Sequence, residues 1–170
     1  MYACYGFTLL TYTSVVATGL QAIFDFRIFD APHPTVAFLT TIIYLFTQVL
    51  IIFFFIGTAT SVREYVQEHR AADAERAAAR DVLAAQAKLL RGRVSGHIYL
   101  HILLFMAQSI VGGAVVAQAA PGWIHTILVT GAFIYYHYVV LQQHRGFRTM
   151  TGIVVGVTGA AADGQQPELR

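Results

Sequence analysis

Residues 36–57, VAFLTTIIYLFTQVLIIFFFIG, decide the fold of this chain, because they run for 22 residues without a charged side chain. A helix needs about 20 apolar residues to cross the hydrocarbon core of a bilayer. Further apolar stretches lie at residues 7–24, 97–118 and 123–141, and only 12% of the 170 residues are charged. Soluble domains carry about 25% charged residues. The sequence therefore predicts an all-α protein, a bundle of four transmembrane helices.

These stretches divide the chain into four segments. We predict transmembrane helices one and two within residues 1–57 and helices three and four within residues 96–144. The start, MYACYGFTLL, lacks the basic segment of a secretory signal, so the first apolar stretch is predicted to be a retained helix. The prolines of DAPHP and of QAAPGW mark the two short turns between helices.

The segment at residues 58–95 is charged and rich in alanine, leucine, glutamate and arginine, which are strong helix formers. We predict a cytoplasmic helical hairpin that extends spans two and three and turns near residues 70–73. The alternative is a single amphipathic helix that lies on the membrane surface with its arginines on anionic lipid. Residues 145–170 contain an apolar run too short to span, and we predict a cytoplasmic flexible tail there.

The basic residues predict the orientation. Of the eleven Lys and Arg residues, Arg27 alone falls in the first or third connection, and the other ten follow span two or span four. Basic residues accumulate on the cytoplasmic side of membrane proteins. Both termini are therefore predicted to be cytoplasmic. One lysine against ten arginines, with abundant alanine, is typical of a GC-rich bacterial genome and predicts the bacterial cytoplasmic (inner) membrane.

Polar side chains recur along one face of each apolar stretch. Thr11, Thr18 and Gln21 share a face of span one, and Thr126 and Thr130 share a face of span four. Polar groups that face lipid without a partner cost several kcal/mol. We expect these stripes to turn towards the axis of the bundle.

Four histidines stand at the predicted cytoplasmic ends of spans three and four: His97, His101, His137 and His144. Across a hairpin that turns near Ala120, His101 and His137 have matched depths, and so do His97 and His144. One hypothesis is a b-type haem with His101 and His137 as axial ligands, since bundle cores host such sites. Another is a divalent metal held by all four imidazoles.

The spacing in HIYLH (residues 97–101) resembles the first histidine box of membrane di-iron desaturases and hydroxylases over these five residues. The HxxHH boxes of that family are missing from the chain. The third interpretation is structural, because histidine is amphipathic and Arg93 and Arg145 border the group. On this interpretation the chain holds no cofactor. The single cysteine, Cys4, excludes a disulfide within the chain and a cysteine-ligated zinc.

The pattern favours a function without catalysis. The sequence carries no Gly-rich phosphate loop and no Ser–His–Asp set, so an enzyme is not favoured. The preferred hypothesis is an integral membrane anchor or assembly subunit, with the bilayer around it and a protein partner or second copy bound through the hairpin. The alternative is a small redox subunit with haem or metal at His101 and His137. Nucleic acid is not an expected partner, because acidic residues alternate with the arginines of the hairpin.

Overall fold

The structure is a computed structural model that describes residues 2–24, 26–70 and 74–162. It is all-α, with four helices in the order α1 (Tyr2–Phe24), α2 (His33–Glu68), α3 (Ala74–Val116) and α4 (Gly122–Ala162). All four are long and apolar enough to cross a membrane. The prediction of an all-α chain with four apolar helices of spanning length is confirmed.

Three of the helices are longer than a membrane crossing requires. At about 1.5 Å per residue, the 23 residues of α1 extend about 35 Å, close to the thickness of a hydrocarbon core. The other three have 36, 43 and 41 residues, so each exceeds about 50 Å. α2 and α3 therefore continue as helix into the charged segment at residues 58–95, and α4 continues past the predicted end of span four.

A compact turn at the predicted QAAPGW segment joins the end of α3 to the start of α4. Gln118 has a φ of 59°, its N–H donates to Val115 O, and the N–H of Ala119 donates to Ala114 O. This pair of bonds is the Schellman motif, which satisfies the last carbonyls of a helix. Pro121 follows, where the helix cannot continue.

The described residues of Met1–Ile52 and Ile98–Val140 form one compact unit, which contains all of α1 and parts of the other helices. The hydroxyls of Thr11 and Thr47 lie 2.7 Å apart, and those of Thr18 and Thr40 are also 2.7 Å apart. Two threonine pairs therefore join α1 to α2. A polar face of α1 is paired within the protein, as its stripe predicted.

The stripe on α4 does not turn inward. Thr126 and Thr130 are both exposed, and their hydroxyls donate to the carbonyls of Gly122 and Thr126. A threonine in a helix can donate its hydroxyl hydrogen bond to the carbonyl four residues earlier. Such a threonine can face lipid without leaving its hydroxyl unpaired. The prediction was wrong for this face because it treated every polar side chain as needing a partner on another helix.

The described residues of Phe53–His97 and Leu141–Arg170 form a second compact unit from parts of α2, α3 and α4. Phe55 and Phe147 stack with ring centroids 5.2 Å apart. A Cβ added at Gly146 would lie 2.9 Å from both Phe55 and Val94, so glycine permits the close approach of α4 here. Three helices, not two, build this unit.

The predicted flexible tail is wrong for residues 145–162, which continue α4 to Ala162. Met150, Ile153 and Val157 are buried and recur at helical spacing. Burial of this apolar face stabilises a helix that four glycines between residues 145 and 159 would weaken in isolation. Residues 163–170 lie outside the described residues.

The predicted turn near residues 70–73 falls between two helices. α2 ends at Glu68 and α3 begins at Ala74, while residues 71–73 lie outside the described part of the chain. Across this connection Arg70 donates to the Asp81 carboxylate at 3.0 Å, and both side chains are about half exposed or more. Exposed pairs of this kind contribute little, about 0–1 kcal/mol.

Candidate functional site

His101 lies at the centre of the first unit, where only 1% of its surface is exposed. The Tyr44 hydroxyl is 2.6 Å from Nδ1, and Nε2 is 3.1 Å from the carbonyl oxygen of Ala132. Since a carbonyl only accepts, Nε2 carries the proton and donates to Ala132, and Nδ1 accepts from Tyr44. One imidazole therefore connects α2, α3 and α4 by two directed hydrogen bonds.

Aromatic rings enclose this imidazole. Tyr136 stacks on His101 with centroids 5.3 Å apart, and Phe105 stacks on Tyr44 at 4.2 Å. Tyr44, Phe105 and Tyr136 form a buried cluster. The Tyr136 hydroxyl is buried without a hydrogen-bond partner among the described residues. Tyr44 and Tyr136 are thus neighbours in this cluster, and of the two only the Tyr44 hydroxyl makes a hydrogen bond.

His137 makes the same kind of connection closer to the surface. Nδ1 lies 2.9 Å from the Phe133 carbonyl and donates to it, and Nε2 accepts from the Tyr12 hydroxyl at 3.1 Å. Tyr12 also meets the His137 ring edge to face at 5.4 Å. This bond joins α1 to α4. His101 and His137 therefore carry their protons on opposite ring nitrogens.

The two imidazoles are bonded to different partners. A haem iron or a zinc needs the lone pair of an unprotonated ring nitrogen. On His101 that lone pair accepts from Tyr44, and on His137 it accepts from Tyr12. A metal at either residue would have to displace a tyrosine hydroxyl. The haem and metal assignments stay predictions.

His97 and His144 belong to the second unit, where His97 is half-buried and His144 is exposed. Among the side chains that the structure describes, in residues 2–24, 26–70 and 76–159, no group of three or more His, Cys, Asp or Glu is placed to hold a metal ion. The sequence matched these histidines by depth and by their shared helical faces. Neither fixes how one helix is rotated against its neighbours, and that rotation selects the partners of a ring.

The arrangement at His101 holds helices together. A proton passed from Tyr44 through the imidazole would reach a backbone carbonyl, which is a very weak base and ends the relay. The partners were partly visible in the sequence, because Tyr44 lies on the polar face of span two with Thr41 and Gln48. The Ala132 carbonyl and the Tyr12 hydroxyl had no such signal.

The second unit carries an open apolar groove with a volume of about 520 Å³. We call it the α2–α4 groove, since its walls are Phe53, Gly57 and Ser61 on α2 and Val154 and Val157 on α4. Phe53 is 65% exposed, and Gly57 and Ser61 are also exposed. The groove is thus an open concave surface with a mostly apolar lining.

Comparison with protein-family models, with curated proteins and with solved structures found no match to this chain.

Proposed function

We propose that the chain is a non-catalytic integral membrane protein, an assembly subunit that associates with a second copy of itself through the α2–α4 groove. The observation that carries the proposal is the groove itself, an exposed apolar concavity in a unit built from only three helices. Small side chains on its α2 wall would let a helix of a second copy approach closely. The directed hydrogen bonds of His101 and His137 support a structural role for those residues.

The membrane placement follows from the basic residues. Six Lys and Arg residues of the second unit are exposed or half-buried and lie next to the apolar segments in the sequence: Arg63, Lys88, Arg91, Arg93, Arg145 and Arg148. Of the Lys and Arg residues, only Arg27 lies in the first unit. By the positive-inside rule the charged part of the second unit, which carries these cations, lies on the cytoplasmic side together with both termini. The arginine-rich, alanine-rich composition favours a bacterial inner membrane. In this placement α2 and α3 form the predicted cytoplasmic hairpin, joined by the end of α4.

The groove has the shape that a self-complementary contact needs. A two-fold interface places the same patch on both subunits, so a protruding residue must meet a recess of its own patch. Phe53 protrudes, and one turn further along α2 Gly57 has no side chain. Gly57 and Ser61 are four residues apart, and small residues at this spacing let two helices approach closely. The Phe53 ring of each copy would pack over Gly57 of the other.

The experiment places a larger side chain at Gly57, in the recess of the groove. A Cβ at Gly57 meets no atom within 4 Å, and the same is true of Gly152, which is exposed on α4 of the same unit but does not line the groove. Gly57→Leu and Gly152→Leu therefore make matched variants. Each should fold, because leucine has the higher helix propensity. The mass of each protein in neutral detergent is measured by light scattering over a range of concentrations.

We expect a dimer for the wild type and for Gly152→Leu, and a monomer for Gly57→Leu at the same concentration. A wild type that is monomeric throughout, or a dimer that Gly57→Leu leaves intact, would overturn the proposal. A monomeric wild type that forms a stoichiometric complex with another protein, lost in Gly57→Leu, would overturn self-association and assign the groove to that protein.

A further inference from the structure

A second concave surface of the second unit differs in chemistry from the α2–α4 groove. α2 and α3 enclose a cleft of about 230 Å³ between them. Three alanines and a threonine line it together with three cations, Arg63, Lys88 and Arg91. We call it the basic cleft. None of its seven lining residues is acidic.

The cations of the basic cleft have no counterion in the described part of the chain. No ion pair links Arg63, Lys88 or Arg91 to an acidic side chain there. Asp81 lies one turn before the cleft on α3, but its carboxylate pairs with Arg70. Three like charges on facing helices repel one another. A bound anion would remove that repulsion.

We propose that the basic cleft binds the phosphate of an anionic phospholipid headgroup. Arginine presents several N–H donors in a planar fork that matches phosphate oxygens, and a lysine ammonium adds a compact charge. Thr60 supplies a hydroxyl on the α2 wall, and the methyl groups of Ala84 and Ala85 leave room for the headgroup. The cleft thus offers charge, hydrogen-bond donors and space for one phosphate diester.

The position of the cleft on α2 favours a lipid over a soluble phosphate. No charged residue lies between Asp30 and Arg63, so Arg63 is the first charge after the longest apolar run of the chain. A headgroup at Arg63 would have its acyl chains beside that run. Basic residues immediately cytoplasmic of a membrane helix are a recognised site for anionic lipid. The inference rests on the membrane placement proposed above and is independent of self-association.

The test measures lipid bound to the full chain. The protein in neutral detergent is titrated with phosphatidylglycerol and, separately, with phosphatidylcholine, and retained lipid is counted by native mass spectrometry. Arg63→Gln and Lys88→Gln remove single charges from the cleft. Arg93→Gln is the matched control, because Arg93 is exposed on α3 of the same unit and does not line the cleft. A parallel titration adds inorganic phosphate at matched ionic strength.

We expect the wild type to retain phosphatidylglycerol in preference to phosphatidylcholine. Each cleft variant should weaken that binding about five-fold, and Arg93→Gln by less than two-fold. Equal losses in all three variants would show that the lipid binds to diffuse positive charge and not to the basic cleft. Equal retention of the two lipids would overturn it too, and displacement of the lipid by inorganic phosphate would assign the cleft to a free anion. Gly57→Leu should leave lipid binding unchanged, which separates this inference from the proposed association.

Discussion

The Tyr44 hydroxyl donates to Nδ1 of His101 across 2.6 Å, and both side chains are almost completely buried. The opposite nitrogen of the same ring donates to the Ala132 carbonyl. Inside a membrane the hydrophobic effect does not draw helices together, so hydrogen bonds between helices contribute to their association.

Removal of the Tyr44 hydroxyl should destabilise the protein. Tyr44→Phe leaves the lone pair of Nδ1 buried without a donor, which costs about 1–2 kcal/mol. Tyr136→Phe is the matched control, because that hydroxyl is buried in the same cluster without a partner. We expect no loss, or a small gain, for Tyr136→Phe. Unfolding by a denaturing detergent, followed by circular dichroism, compares the two, and an equal effect would contradict the directed bond.

The two histidines should differ in their contribution to stability. His101→Phe leaves the Tyr44 hydroxyl buried without its partner and removes the second hydrogen bond of the Ala132 carbonyl, at a cost of about 1–3 kcal/mol. His137→Phe should cost less than about 1 kcal/mol, since its bond to Tyr12 is exposed. The same unfolding assay measures both. If His137→Phe were the more damaging variant, the assignment of His101 as the central connection would be wrong.

The close approach of α4 in the second unit should make Gly146 intolerant of a side chain. In Gly146→Ala the new Cβ would lie 2.9 Å from Phe55 and Val94, and such overpacking costs about 1–3 kcal/mol. Gly152→Ala meets open space and should stabilise the helix by up to about 1 kcal/mol. Opposite shifts in the unfolding midpoint are expected. Two stabilised variants would show that residues 145–162 do not pack as described.

The wild type should hold no haem at His101 and His137. Each imidazole already uses its lone pair to accept from a tyrosine, so an iron would compete with a formed hydrogen bond. Expression with added haem, followed by an absorption spectrum and metal analysis of the purified protein, tests this. A Soret band that disappears in His101→Ala and His137→Ala would establish the haem hypothesis and refute the structural role.

The helical tail shows where local sequence rules fail. Residues 145–170 contain an apolar run too short to span a membrane, and on that ground the sequence predicts a flexible tail. A signal was present, since Phe147, Met150, Ile153 and Val157 recur every three or four residues. A helix with this pattern is stable only if another surface buries its apolar face. The apolar faces of α2 and α3 provide that surface, and the tail belongs to the second unit.

The amino-acid sequence by itself determined four apolar helices, because the length and hydropathy of a segment decide locally whether it can cross a bilayer. It also located the turn at QAAPGW, where proline forbids the helix to continue. Tertiary structure alone decided which atoms meet: Tyr44 with His101, Tyr12 with His137, and Gly146 with Phe55. The reason is that these contacts depend on how each helix is rotated about its axis. Rotation is set by the sum of all packing contacts along a helix, which no short stretch of sequence contains.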